Sequence, residues 1–463
     1  MTATAAKREL APGTAAKLAL FSAVLWFAVG VTFGGITRIK MAYPDFLSGV
    51  PWLTFGVIRP THVDVLILGW ISMAFAGAMY YMTPALCNTK LWSERLGVVN
   101  IWLWNVGMVV IIATFLNGIM TGIKYHEWIW PIDIYIIFFV MVPLAVNVWM
   151  TILHRKTKGI YVSLWFFAAC LLMIAVTFLL GSDAMGWTGI ASAYMTWWYA
   201  HNVLGLWITP VSAAIAYYVI PKVTGNALYS HRIGHIHFWA IVGFYSTPGA
   251  HHLMAAPIPE WIKSFASVSG VLILIPALAF ITNILLTMEG KWHMFVDNPV
   301  VQWSLTGVLF ALPLNVQGAF QQTRAINWYI HGTDWIVAHA HMALLGFSTF
   351  IEVGAVYYAL PRLLGKPLYS VAMARWHFWL TALGFMGFWT SLTTAGLVQA
   401  AGKAYNTPFD TVLAQEHPYN VAAIFFGWMI ILATWMFLYN MVKTATAPVP
   451  VAEREPAAVQ ATG

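Results

Sequence analysis

The chain has 463 residues, of which 60% are hydrophobic and only 8% charged, and its formal net charge is +7. That composition excludes a soluble globular domain and a closed membrane barrel, whose strands alternate apolar and polar. It leaves an all-α, polytopic bundle of helices that satisfy their own backbone hydrogen bonds in lipid. The positive balance fits loops facing anionic lipid, and no basic patch argues for nucleic acid.

About twelve spans are predicted, with cores at 18–39, 62–86, 97–121, 132–153, 160–180, 191–220, 234–255, 265–288, 301–320, 335–360, 378–400 and 418–442. The linkers are short and carry turn signals such as Pro221, Gly225-Asn226, Pro299, Gly332 and Pro361, which leaves one transmembrane domain, 17–444, and no obvious internal repeat. The tails, 1–16 and 445–463, are rich in Ala, Thr, Pro and charge and read as disordered. Sixteen of the 23 Lys and Arg, including Lys90, Arg155, Lys222, Arg362 and Lys443, fall on the side of the N-terminus. The positive-inside rule makes that side, with both termini, cytoplasmic. Cys87 and Cys170 support neither a disulfide framework nor a thiolate metal site.

With that topology the histidines sort by depth. His62 opens span two at the outer end, and His339 and His341 lie early in span ten. His201 sits within span six, and the pair His251-His252 comes near the exit of span seven. Six imidazoles from four spans thus share one layer in the outer part of the bilayer, where polar side chains are costly and mark function. A helix turns 100° per residue, so His339 and His341 point about 200° apart and one helix can serve two metal centres. The adjacent pair needs a bend, which Pro248, Gly249 and Pro257 can supply. Imidazole suits haem iron and copper.

This histidine pattern resembles subunit I of the haem-copper oxidase superfamily over nearly the whole chain. The resemblance implies that His62 and His341 are axial ligands of a low-spin haem b and that His339 is the proximal ligand of a high-spin haem b3. His201, His251 and His252 would hold the facing copper (Cu B). The branch is read around His201. Other branches place a tyrosine or a glutamate four residues after it, but here Gly205 stands there. The cbb3-type branch takes its tyrosine from span seven, six residues before the His-His pair, and Tyr245 has that spacing. The segments Arg59-Pro60-Thr61-His62, Trp130-Pro131-Ile132-Asp133-Ile134, His237-Phe238-Trp239-Ala240 and His331-Gly332-Thr333-Asp334-Trp335 are also similar to cbb3 subunits. At helical rise Tyr245 lies about 9 Å deeper than His251, too deep for a headgroup anchor.

Splitting O2 takes four electrons, and one haem iron with one copper delivers three, so a phenol supplies the fourth. The resemblance implies that this is Tyr245, covalently linked to His201. Protons would arrive from the cytoplasmic side past Tyr229, Ser230, His237 and Ser246 along or below span seven. Glu352, an acid about 20 Å inward of His339, joins these candidates, with snorkelling to the headgroups as its structural alternative. Gln317 is grouped with them and takes a place near the proximal side of the high-spin haem where cbb3 subunits are expected to carry glutamate. Glu127 matches one acid of a loop that resembles a calcium site, although the next expected acid is Ile129. Arg59, His331 and Asp334 at the outer surface are expected partners for haem propionates, directly or through water.

The sequence has no Cys-x-x-Cys-His and no cysteine pair for a binuclear copper, so electrons are expected from a membrane-anchored c-type cytochrome subunit. The reading is a proton-translocating cbb3-type cytochrome c oxidase subunit in a bacterial inner membrane, reducing O2 to water. A nitric oxide reductase on the same scaffold is the alternative, and a colourless twelve-span transporter is the rival from another class.

Overall fold

The structure, a computed structural model, describes residues 10–448. Twelve helices account for most of them. They are α1 (Thr14–Ala42), α2 (Phe55–Leu86), α3 (Glu94–Leu116), α4 (Trp130–Leu153), α5 (Val162–Gly181) and α6 (Gly189–Thr224). The second half has α7 (His231–Tyr245), α8 (Glu260–Thr287), α9 (Pro299–Gln321), α10 (Asp334–Leu364), α11 (Val371–Tyr405) and α12 (Phe409–Thr446). Ten are long and apolar enough to cross a bilayer on those grounds alone, and the two that fall outside that set are α7 and α11. Of the tails read as disordered, 1–9 and 449–463 lie outside the described residues, while α1 starts at Thr14 and α12 runs to Thr446.

Span seven departs from the expected continuous helix. It stops after 15 residues at Tyr245, and the chain then turns through a short 3-10 segment, Ala250–Leu253, that carries both histidines. Gly249 allows this turn to press against α6, because a Cβ there would come within 2.7 Å of the Trp198 backbone.

Against the expectation of no internal repeat, the bundle contains a threefold one. Tyr80-Tyr81, Tyr217-Tyr218 and Tyr357-Tyr358 stand near the ends of the helices α2, α6 and α10, each followed by Pro84, Pro221 or Pro361 and then by Ser93, Ser230 or Ser370. Each serine caps the next helix through its side chain. Its backbone is clamped on both sides by an asparagine one helix further on: Asn147, Asn283 and Asn440, at 2.9–3.1 Å. The first tyrosine of each pair bonds a residue twenty positions later, Asn100, His237 or His377. The second tyrosines converge, with ring centroids 6.4, 6.1 and 6.1 Å apart. The helices α2, α6 and α10 therefore surround a pseudo-threefold axis and are the most enclosed of the spans.

All three also carry a π-helical stretch just below a candidate ligand: Val65–Ser72 after His62, Leu204–Ile208 after His201, and Met342–Thr349 after His341. A π-turn inserts one residue into the helical register and re-aims what precedes it, which is why such turns gather at functional sites.

Candidate metal centre

The α2 and α10 side of the site is built from two facing rings. The imidazoles of His62 and His341 lie within 20° of parallel with centroids 6.5 Å apart. Each fixes its tautomer by donating Nδ1–H to a carbonyl, His62 to Gly30 and His341 to Val337, both at 2.8 Å, so that Nε2 remains for a metal. Gly34 clears the space, since a Cβ there would lie 2.5 Å from His62 Cε1.

On the other face of α10, His339 donates Nδ1–H to Gln317 Oε1 of α9 at 3.3 Å. Gln317, on α9, is therefore the hydrogen-bond partner of His339. Beyond it stand His201, His251 and His252, whose candidate ligand atoms all lie within 4.8 Å of one another, the sole such cluster among the described residues. His201 Nε2 and His251 Nδ1 are buried without a hydrogen-bond partner. Three converging imidazoles, with orphaned nitrogens in an apolar bundle, are a donor set for copper.

Tyr245 joins this cluster. Its ring stacks on His201 at a centroid distance of 4.5 Å and an angle of 20°. The helical-rise estimate of its depth does not apply, because α7 ends at Tyr245 and the chain turns before it reaches His251. Gly205 makes the arrangement possible: a Cβ at that position would overlap the Tyr245 ring. The absent side chain on α6 and the tyrosine on α7 are two halves of one packing solution.

One cavity of about 490 Å³ connects both faces and is lined by all six histidines and Tyr245. At its outer rim Arg38, near the end of α1, is buried with Asp334 at 3.6 Å and Asn420 as partners. Asp334 therefore faces the Arg38 cation at the rim. Arg59 also lines the cavity and lies 3.9 Å from Glu127. His331 has its ring 6.3 Å from His252, and its carbonyl accepts from Lys403 at 2.5 Å. Burial, and then the Lys403 charge, hold the His331 imidazole below its usual pKa.

Glu127 shares a buried pocket with Asp64, a residue that the motifs do not single out. Burial raises the Glu127 carboxyl above the usual range, against hydrogen bonding with Asp64 and the Arg59 charge. An ionisable residue inside a predicted span, two positions after His62, is the signal that points to Asp64. No third acid, His or Cys joins the two acids among the described residues, and Arg59 already supplies a cation beside Glu127, so the pair does not fit a calcium ion.

The α7 candidates separate from the site. Ser230 is the cap of α7 and His237 the partner of Tyr217, both members of the threefold device. Tyr229 is largely exposed, and its backbone N–H bonds Thr287 just as Trp92 bonds Thr151 and Tyr369 bonds Thr444. Ser246 bonds Gly243 locally, and none of these four residues lines the cavity. Glu352 does not snorkel. It is buried within α10, where Ser348 donates to it at 2.5 Å.

Residues 14–447 match the family model described as cytochrome c and quinol oxidase polypeptide I. The chain is 30% identical to the cbb3-type cytochrome c oxidase subunit CcoN1 of Stutzerimonas stutzeri, over 92% of this chain and 94% of that one. It is also 30% identical to a cytochrome c oxidase subunit 1 homolog of Agrobacterium tumefaciens, over 92% and 83%. A nitric oxide reductase polypeptide of Stutzerimonas stutzeri is 27% identical over 91% of each. The fold matches a solved heme-copper terminal oxidase dimer with a TM-score of 0.76 at 13% identity, covering 94% of this chain and 85% of that one. With its paired rings, its three-histidine cluster and these relatives, the chain belongs to the subunit I family of haem-copper oxidases and groups with the cbb3-type members.

Proposed function

We propose that this chain is the catalytic subunit of a cbb3-type terminal oxidase that reduces O2 to water at a haem-copper site, coupled to proton translocation. The observation that carries the reading is Tyr245 stacked on His201 in the space that Gly205 leaves open. His62 and His341 would hold a low-spin haem b, His339 a high-spin haem b3, and His201, His251 and His252 the copper. When bound, these groups supply the electrons and the metal pair between which O2 is reduced.

The chain's own residues do the rest. Gln317 orients His339. Arg38, itself held by Asp334 and Asn420, and Arg59 present positive charge at the rim of the cavity, where carboxylates at a haem edge would meet it. Tyr245 holds a proton and an oxidisable phenol against His201, and we assign it the fourth electron. Joining its ring to His201 by a covalent bond would release two protons and two electrons, which the oxidase's own O2 chemistry accepts. Electrons would come from a membrane-anchored c-type cytochrome subunit, the protein would sit in a bacterial inner membrane, and both termini would face the cytoplasm.

Gln317 favours a second reading, nitric oxide reduction, because an uncharged partner for His339 replaces the expected acid. Two-electron nitric oxide chemistry has no need of a phenol. Tyr245→Phe therefore separates the two: it should abolish O2 consumption while leaving the spectra of both haems intact. Full O2 turnover in the variant would refute the redox role. Nitric oxide turnover alone in the wild type, with iron in place of copper, would establish the second reading.

A further inference from the structure

The threefold repeat makes it possible to ask which residues on the axis break the symmetry. Five positions before Tyr80, Tyr217 and Tyr357 stand Phe75, Ser212 and Glu352. Eight positions before them is a ring of hydroxyls, Ser72, Thr209 and Thr349. Two of those hydroxyls are occupied by a tryptophan from the neighbouring repeat, Trp207 donating to Ser72 and Trp70 to Thr349, each at 2.9 Å. The third tryptophan position is Phe347, which has no N–H to offer Thr209. Thr209 and Thr349 both line the cavity.

Ser212 of α6, one turn after Thr209, lies 2.6 Å from Ser348 of α10, the residue just before Thr349, and Ser348 donates to Glu352 Oε1 at 2.5 Å. Ser212 can also donate to the Ile208 carbonyl at 2.9 Å. Glu352 Oε2 is buried without a partner, and no cation pairs with this carboxyl among the described residues. Below it on the axis lie Tyr81, Tyr218 and Tyr358, with the Arg362 guanidinium over Tyr358 at 3.9 Å.

We propose that Glu352 is a proton-exchanging carboxyl on the pseudo-threefold axis, serving the cavity through Ser348, Ser212 and Thr209. The hydrogen-bond chain has two complete settings. With a proton on Glu352 Oε1, the carboxyl donates to Ser348, Ser348 to Ser212, and Ser212 to the Ile208 carbonyl. With that proton gone, Ser212 donates to Ser348 and Ser348 to Glu352, which is the direction the 2.5 Å bond allows. Each hydroxyl gives one hydrogen in either setting, so a proton can leave the carboxyl without stranding a donor. The released proton passes from Ser212 to a water at the cavity floor beside Thr209, one turn and about 4.5 Å of helical rise away. Recharging would come from the tyrosine triad and Arg362 on the inner side. This route lies between α2, α6 and α10, whereas the α7 residues suggested by the sequence belong to the repeated clamp. A buried carboxyl without a charged partner costs stability, and an acid kept in a membrane at that cost marks function.

The inference rests on the oxidase reading, since only a proton-consuming site gives the carboxyl something to serve. Glu352→Gln in the full, haem-loaded chain with its native partners keeps the volume and the acceptor for Ser348 and removes only the exchangeable proton. It should lower O2 turnover by roughly tenfold or more at unchanged haem content. It should also delete a carboxylic C=O band, shifted by D2O, from the reduced-minus-oxidised infrared spectrum. Ser348→Ala should shift that band and slow turnover. A merely structural Glu352 predicts that Gln is tolerated, so turnover within twofold of wild type with an unchanged infrared spectrum overturns the proposal. If Glu352→Gln loses haem, Ser348→Ala decides by the same two readouts. A wild type that carries haem and consumes O2 leaves the oxidase reading standing whatever these variants do, while a haem-free, inactive wild type sinks both.

Discussion

Gly205→Ala tests the link between the empty position on α6 and the tyrosine on α7. The added Cβ would overlap three atoms of the Tyr245 ring. Because the ring is rigid, it can escape only as a unit, by leaving its rotamer or by pushing the turn after α7. Leaving a rotamer costs about 0.5–1.5 kcal/mol, and overfilling a packed core costs about 1–3 kcal/mol. Together these amount to about 3 kcal/mol, which corresponds to a loss of roughly a hundredfold in the population with Tyr245 stacked on His201. O2 turnover should fall accordingly, and the thermal midpoint for loss of the haem Soret band should drop. The control is the double variant: in a Tyr245→Ala background the new methyl has room, so Gly205→Ala should there be neutral or stabilising. An interaction of about 1–3 kcal/mol between the two sites is expected from the cycle. If Gly205→Ala alone leaves both the midpoint and the turnover unchanged, the packing argument is wrong.

The His339–Gln317 bond makes a second claim testable by potentiometry. Gln317→Glu should lower the midpoint potential of the haem at His339, because an anion on Nδ1 favours the oxidised metal; a change of about 1.4 kcal/mol corresponds to about 59 mV for one electron. A rise, or no change, would remove Gln317 from the proximal side. For the rim, Arg38→Met leaves Asp334 buried without its cation and should destabilise the protein by about 3–5 kcal/mol. Adding Asp334→Asn should recover part of that loss in thermal denaturation, and failure to recover any would mean that the pair is not coupled.

Much of the site is legible in the residues because each ligand is anchored in a strongly apolar span. Once a span must cross the bilayer, the depth of His62, His201, His339 and His341 follows from counting. The two faces of α10 likewise follow from 100° per residue, and the structure puts His341 opposite His62 and His339 against Gln317. Counting fails where the helix does. Tyr245 cannot be placed by helical rise, since α7 ends there and the next turn is set by close packing of Gly249 on Trp198. The repeat is present in the sequence as three Tyr-Tyr-x-x-Pro segments, but its meaning lies in hydrogen bonds between helices twenty to seventy residues apart.

Hydropathy and helical period are local properties of the chain, so they suffice for the class, the approximate number and ends of the spans and the layer of six histidines, while the spacing that picks out Tyr245 is read from the family resemblance. Which side chains face one another is not local. Packing between distant helices brought Asp334 to Arg38, placed Ser230 and His237 in a scaffold repeated three times, and buried Glu352 on the axis next to Ser348. Those long-range contacts decide whether a polar group in a membrane is a clamp, a counter-ion or a proton carrier, and one-dimensional spacing carries no record of that choice.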